Sequence, residues 1–213
     1  MTVEIETAVK IPSFNQENRR LLPENGFVIV ELTGKSLREL IENGDLPISE
    51  YKVNPDLIPD YVLDERSRVS EVAYDLKNLF ILHSNKTSYE DQRRMIDEET
   101  KTIRESGVKN IEAYMVSFSD AAEIAAIELD RKRRIFGRKF VSDEFTRYPW
   151  IRTSTEIDSS TSVIIGCDDL DIPEGIFNRA PEGEFRGIHV QTFPKVNEKH
   201  AGLLVMRVFV PAL

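Results

Sequence analysis

The clearest pattern in the chain lies in residues 89–106. Tyr89, Ile96 and Ile103 recur every seven positions with Met95 beside them, and the remaining positions are mostly charged. One narrow apolar stripe at helical spacing predicts a surface helix. Glu90–Arg94 and Asp97–Lys101 support it as favourable i,i+4 pairs, and Gly107 supplies the stop. The stretch "NIEAYMVSF" at 110–118 alternates apolar and polar residues, which predicts a strand. A second long helix follows, capped by Ser119 or Asp120 and running to residue 136, with Gly137 as its stop. Its first half, "AAEIAAIEL", is apolar on most sides and should be buried.

Weaker patterns flank this middle region. Residues 27–32 are rich in β-branched side chains and read as a strand, 36–43 as a short helix ended by Gly44, and 79–82 as a short apolar strand. Four further strands are expected at 152–157, 162–167, 187–193 and 203–210. Strand–helix alternation implies parallel pairing, and the consecutive strands imply antiparallel pairing. The fold class is therefore α/β (or α+β): a mixed sheet with two or three helices packed on it, after an irregular N-terminal arm and before a strand-rich C-terminal third. Residues 1–26 form the arm and 27–213 a single domain. Within that domain 45–75 reads as an extended segment. Its recurring apolar residues (Ile48, Tyr51, Val53, Leu57, Ile58, Tyr61, Val62, Leu63) suit a segment wrapped over the domain or over a neighbouring subunit.

The prolines agree with this division. Five lie at or before Pro59, five at or after Pro149, and none between. Regular elements should therefore concentrate in the middle. The formal net charge is −9, which argues against broad nucleic-acid binding, a process driven by phosphate neutralisation. Apolar runs are far shorter than the roughly 20 residues of a membrane span, and the first residues lack the basic start and apolar core of a secretory signal. Cys167 is the one cysteine, so no intrachain disulfide is expected. These features together suggest a cytoplasmic protein.

Four stretches could carry chemistry. "TGKS" at 33–36 follows a strand and precedes a helix, as the end of a phosphate-gripping loop does. Such a loop needs another glycine at position 29, where Ile29 stands. Ser36 and Glu39 instead form a capping box before Leu37, Leu40 and Ile41. "RKRRIFGRK" at 131–139 holds six basic residues and no acid. Arg131, Lys132, Arg134, Arg138 and Lys139 suit either a helix C-terminus facing its dipole or an acidic partner. Trp150, between Arg147 and Arg152, is a further candidate interface residue.

The two other stretches are strand-to-helix turns. His83, Ser84, Lys86 and Thr87 lie in the first, and Ser117, Ser119 and Asp120 in the second. If their strands are parallel neighbours, the turns sit side by side at strand ends, where open sheets bind ligands. The same residues would also cap the following helices. Cys167 has no histidine near it in sequence, and no Cys/His pair has metal-ligand spacing, so neither a metal nor a cofactor is expected. Two functions follow. The favoured one is a non-catalytic binding or assembly protein, most simply a homo-oligomer. The other is an enzyme or sensor for a small phosphate- or carboxylate-bearing ligand at turns 83–88 and 117–120.

Overall fold

A computed structural model describes residues 12–46, 58–85, 87–131, 150–166, 190, 192–195 and 203–212, and the backbone of 140–142, 145–147, 189 and 191. The elements in chain order are α1 (Gln16–Glu24), β1 (Val28–Glu31), α2 (Leu37–Glu42), α3 (Asp60–Leu63), β2 (Glu71–Tyr74), α4 (Tyr89–Glu105), β3 (Ile111–Tyr114), α5 (Phe118–Asp130), β4 (Phe140–Ser142), β5 (Phe145–Arg147), β6 (Trp150–Asp158), β7 (Thr161–Gly166), β8 (His189–Pro194), β9 (Leu203–Leu204) and β10 (Val208–Pro211). The expected mixture of helices with a strand-rich C-terminal third is present. Among the described residues no helix is long and apolar enough to cross a membrane.

Among the described residues two four-stranded sheets carry the fold. The first has the order β1-β2-β10-β3 and is antiparallel throughout. The second has the order β8-β7-β6-β9, antiparallel except for the β6–β9 ladder. β4 and β5 pair as a separate antiparallel ribbon. The parallel pairing expected from strand–helix alternation is therefore not the arrangement of the first sheet. β2 and β3 do point the same way, because both run against β10, but the C-terminal strand is inserted between them. Residues 203–210, which read as one strand, divide into β9 in one sheet and β10 in the other.

Alternation along β10 shows how the layers form. Val208 and Val210 face the main core, which also holds Val72 and Tyr74 of β2, Ile151 of β6, Val163 and Ile165 of β7, and the apolar side of α5. Phe209 points to the opposite face, beside Phe14, Leu22, Phe27, Ile103 and Ile111. Its ring meets Phe27 edge-on at 5.3 Å. α1 and α4 thus cover one face of the first sheet, and α5 fills the space between the other face and the second sheet. α5 is buried on nearly every side, as its composition implies.

Two regions expected to be irregular are regular. α1 lies in the N-terminal arm, with Asn15 accepting from the Asn18 amide as its cap and Pro23 in its last turn. β2 and α3 lie in the extended segment. Ile58 and Val62 are buried in the chain's own core, so the described part of that segment wraps its own domain. Residues 47–57 lie outside the described residues. The strand expected at 79–82 is a shorter contact: Phe80 bridges Met206, and Ile81 N–H donates to the Val205 carbonyl at 3.0 Å.

Candidate functional site

The "TGKS" turn does hold an anion, and the anion is the protein's own. Thr33 donates both its amide and its hydroxyl to Glu123 Oε1, each at 2.5 Å, and Gly34 N–H donates to Oε2 at 3.1 Å. Glu123 comes from α5 and is 2% exposed. Gly34 takes the left-handed φ of 79° that presents successive amides to one acceptor. Lys35 pairs with Asp45 at 2.6 Å. Ser36 and Glu39 complete the capping box, with Ser36 N–H donating to Glu39 Oε2 at 2.8 Å and the Glu39 amide to Ser36 Oγ at 3.2 Å.

At the first later turn the hydroxyls are engaged in structure. Ser84 Oγ is buried; it donates to the Ile81 carbonyl at 2.7 Å and accepts the Val205 amide at 3.1 Å. Thr87 donates to the Ser84 carbonyl at 2.6 Å, and Ser88 caps α4. His83 is exposed, with a φ of 61°. Lys86 lies outside the described residues.

The second turn is a buried polar cluster. Ser117, rather than Ser119 or Asp120, is the N-cap of α5, because Asp120 three residues on completes a capping box with it. Asp120 Oδ2 accepts from Ser117 N–H at 3.0 Å, Ser117 Oγ at 2.7 Å and the Tyr114 hydroxyl at 2.8 Å. Ser119 Oγ lies 3.0 Å from Ser117 Oγ. Phe118 N–H donates to Thr155, whose hydroxyl donates to Glu65 Oε2 at 2.6 Å. Burial raises the Glu65 carboxyl above its usual range, and the charge of Asp120 adds to that while Thr155 opposes it. The Tyr114 hydroxyl is also pushed up, first by burial and then by Asp120. The chain at 203–211 runs between the strands leading into the two turns, and among the described residues no hydrogen bond joins one turn to the other.

The basic run begins at the end of α5, which stops at Asp130 instead of 136. Arg131 caps it and pairs at 3.0 Å with Glu128, itself fully buried and accepting from the Tyr74 hydroxyl at 2.7 Å. Lys132, Arg134, Arg138 and Lys139 lie outside the described residues, as does Cys167. Trp150 is 1% exposed and packs with Ile164, Leu203 and Phe193. It is a core residue of the second sheet and not an exposed interface residue, because both faces of β6 are covered at that position.

One site was missed in the sequence. Arg152 stands on the same face of β6 as Trp150 and opposite Ile164 of β7. It is 1% exposed. Its guanidinium carbon lies 5.5 Å from the ring centre of Tyr89 and 5.4 Å from that of Phe193. Nε and Nη1 are sealed from solvent and have no acceptor. Nearby, Lys195 Nζ lies 5.4 Å from the same Tyr89 ring and pairs with Glu156 at 2.6 Å. Burial lowers the Arg152 guanidinium to about 10, which still leaves it protonated at neutral pH. The sequence signal was small: a single arginine in the apolar stretch "WIRT". Comparison with protein-family models, with curated proteins and with solved structures finds no match.

Proposed function

We propose that this protein is a binding protein for a small anionic ligand, held at Arg152 between α4 and the second sheet. The observation that supports this reading is the buried guanidinium whose Nε and Nη1 have no acceptor. A guanidinium cannot shed its charge at neutral pH, and burying a charge without a partner is among the most expensive arrangements in a protein. Two aromatic faces offset part of that cost, each by roughly 0.5–2 kcal/mol. They supply no acceptor for the N–H groups. An anion supplies both the charge and the acceptor. Lys195 already has its counter-charge in Glu156, which leaves Arg152 as the group that a ligand completes.

Assembly, the class favoured by sequence, draws less support. The described part of the wrapping segment buries its Ile58 and Val62 in the chain's own core.

Thermal denaturation at fixed ionic strength tests the proposal, with phosphate, sulfate and carboxylates titrated into wild type and Arg152→Met. A ligand at 100 times its Kd stabilises by about 2.7 kcal/mol. For a chain of this size that raises Tm by roughly 5–10 °C. The expected result is a saturable rise in wild type that is absent from the variant. A flat response to every anion, or an equal response in Arg152→Met, would overturn the reading.

A further inference from the structure

A cavity of about 400 Å3 opens between α4 and the chain that follows β2, and its lining includes neither Arg152 nor the rings beside it. That volume lies within the roughly 300–1,000 Å3 of small-molecule sites. One wall is a single stripe of α4, because Met95, Glu98, Glu99 and Thr102 stand at i, i+3, i+4 and i+7. The other wall is residues 80–82, with Arg207 beside them. Both walls are fixed in the folded chain. The Ile81 amide donates to the Val205 carbonyl at 3.0 Å and the Arg207 amide to the Leu79 carbonyl at 2.7 Å. Arg207 Nε then holds Glu99 of α4 at 2.6 Å.

The lining is divided in character. Phe80, Ile81, Leu82 and Met95 give it an apolar side. Leu82 is 64% exposed, the most of any large apolar side chain among the described residues. A lone exposed leucine needs no explanation, but this one continues an apolar cavity wall. The polar side carries two carboxylates and one guanidinium. That guanidinium is already committed: Arg207 pairs with Glu99, and its central carbon lies 5.4 Å from the ring centres of both Phe27 and Phe209. Glu98 is exposed and has no ion pair among the described residues. Arg94, one turn before it, is taken by Asp91. The cavity therefore has one negative charge in excess, next to an apolar surface.

We infer that this cavity binds a small organic cation, a primary amine joined by a short link to an aromatic or branched apolar body. The body covers Leu82 and Met95, and the flexible, polarizable methionine side chain suits contact with an aromatic ring. The ammonium group donates to the Glu98 carboxylate. It also donates to Thr102 Oγ, which already gives its proton to the Glu98 carbonyl at 3.0 Å and so has only acceptor capacity left. A carboxylate of the same shape would meet the excess negative charge, and a neutral alcohol would leave it unmatched. This site is separate from Arg152 and stands whether or not an anion binds there.

2-Phenylethylamine, 2-phenylethanol and ethylamine separate the charge from the apolar body. Each is titrated at neutral pH and constant ionic strength into protein carrying 13C-labelled methionine methyl groups, and the Met95 resonance, assigned with Met95→Leu, is followed. 2-Phenylethylamine should shift it saturably, and ethylamine should not. An exposed ion pair changes affinity roughly two- to fivefold, so 2-phenylethanol should half-saturate at a concentration higher by that factor. In Glu98→Gln, at an exposed position where the core is untouched, the amine should weaken by the same factor and match the alcohol. In Leu82→Asn, also exposed, both should weaken. Absence of a saturable Met95 shift, equal half-saturation by amine and alcohol in wild type, or an amine affinity unchanged in Glu98→Gln would each overturn the inference.

Discussion

Replacing Glu123 tests whether the "TGKS" turn depends on an internal anion. Its carboxylate accepts three hydrogen bonds, from the Thr33 amide, the Thr33 hydroxyl and the Gly34 amide, while 2% exposed. Glu123→Gln keeps one oxygen for Thr33 but turns an NH2 group toward the Gly34 amide, so one buried donor loses its acceptor and the other bonds lose their charge. A buried donor without a partner costs about 1–3 kcal/mol, and a bond to a charged group is worth about 1.5–3. Glu123→Gln should therefore destabilise by about 2–3 kcal/mol. Glu123→Ala, which strands all three donors beside a cavity, should cost about 3–5 kcal/mol, a large part of a typical 5–15. Urea denaturation of both variants and of Thr33→Val measures this, and the Glu123→Gln/Thr33→Val double-mutant cycle isolates the hydroxyl's share. If Glu123→Gln unfolds within 0.5 kcal/mol of wild type, taking ~0.5 as the size of an ordinary surface effect, the turn does not rest on this carboxylate.

Other outcomes follow from the same structure. Phe209→Ala should cost about 3–5 kcal/mol by urea denaturation, since it empties a fully buried aromatic site on the central strand and removes the edge contact to Phe27. Deleting 203–213 removes the strand between β2 and β3, and far-UV circular dichroism should then show no cooperative thermal transition. Glu65 binds its proton more tightly folded than unfolded, so its contribution to stability falls as pH rises from the ordinary carboxyl range through its raised value. Glu65→Gln keeps the acceptor for Thr155 and carries no charge. It should be more stable than wild type at pH 8, with the difference shrinking as pH falls; a pH-independent difference in Tm would contradict this. Arg152→Met without added anion should melt no lower than wild type, because it removes an uncompensated buried charge, and a large fall in Tm would mean that the charge already has a partner.

What the sequence revealed and what it concealed follow physical lines. α4 was legible because one face meets the core and the other meets water, which writes the period into the residue pattern; Tyr89, Ile96 and Ile103 are its buried apolar positions. The capping box at Ser36–Glu39 was legible because it is local, closed within four residues. β2 was not, because "EVAY" is covered on both faces and leaves no alternation to read. The place of β10 was hidden for a different reason. Hydrophobicity marks a strand as buried but does not say which strands it separates. The strands expected at 79–82 and 110–118 would have set their turns side by side as parallel neighbours, but the C-terminal chain pairs with both, at Phe80 through Met206 and along β3 through β10. Arg152 depends on three contacts distant in sequence, Tyr89, Phe193 and Ile164, and none leaves a trace in "WIRT".

The same contrast shows why Arg152 stands apart from the other buried charges. Glu71 receives the Phe14 amide at 2.8 Å and pairs with Arg19. Asp120 closes its own helix cap, Glu123 fills the amides of the "TGKS" turn, and Glu128 holds Tyr74 and Arg131. Each buried acid secures a particular junction: the arm to the first sheet, α5 to β3, α5 to the turn before α2, and α5 to β2. Buried charge in this fold is normally matched by donors that tie two elements together. Arg152 breaks that rule, since the rings of Tyr89 and Phe193 shelter its guanidinium without accepting from Nε or Nη1. Among the described residues these buried acids each hold at least one donor from a neighbouring element, whereas Arg152 Nε and Nη1 have no acceptor, and the proposed anion site rests on that difference.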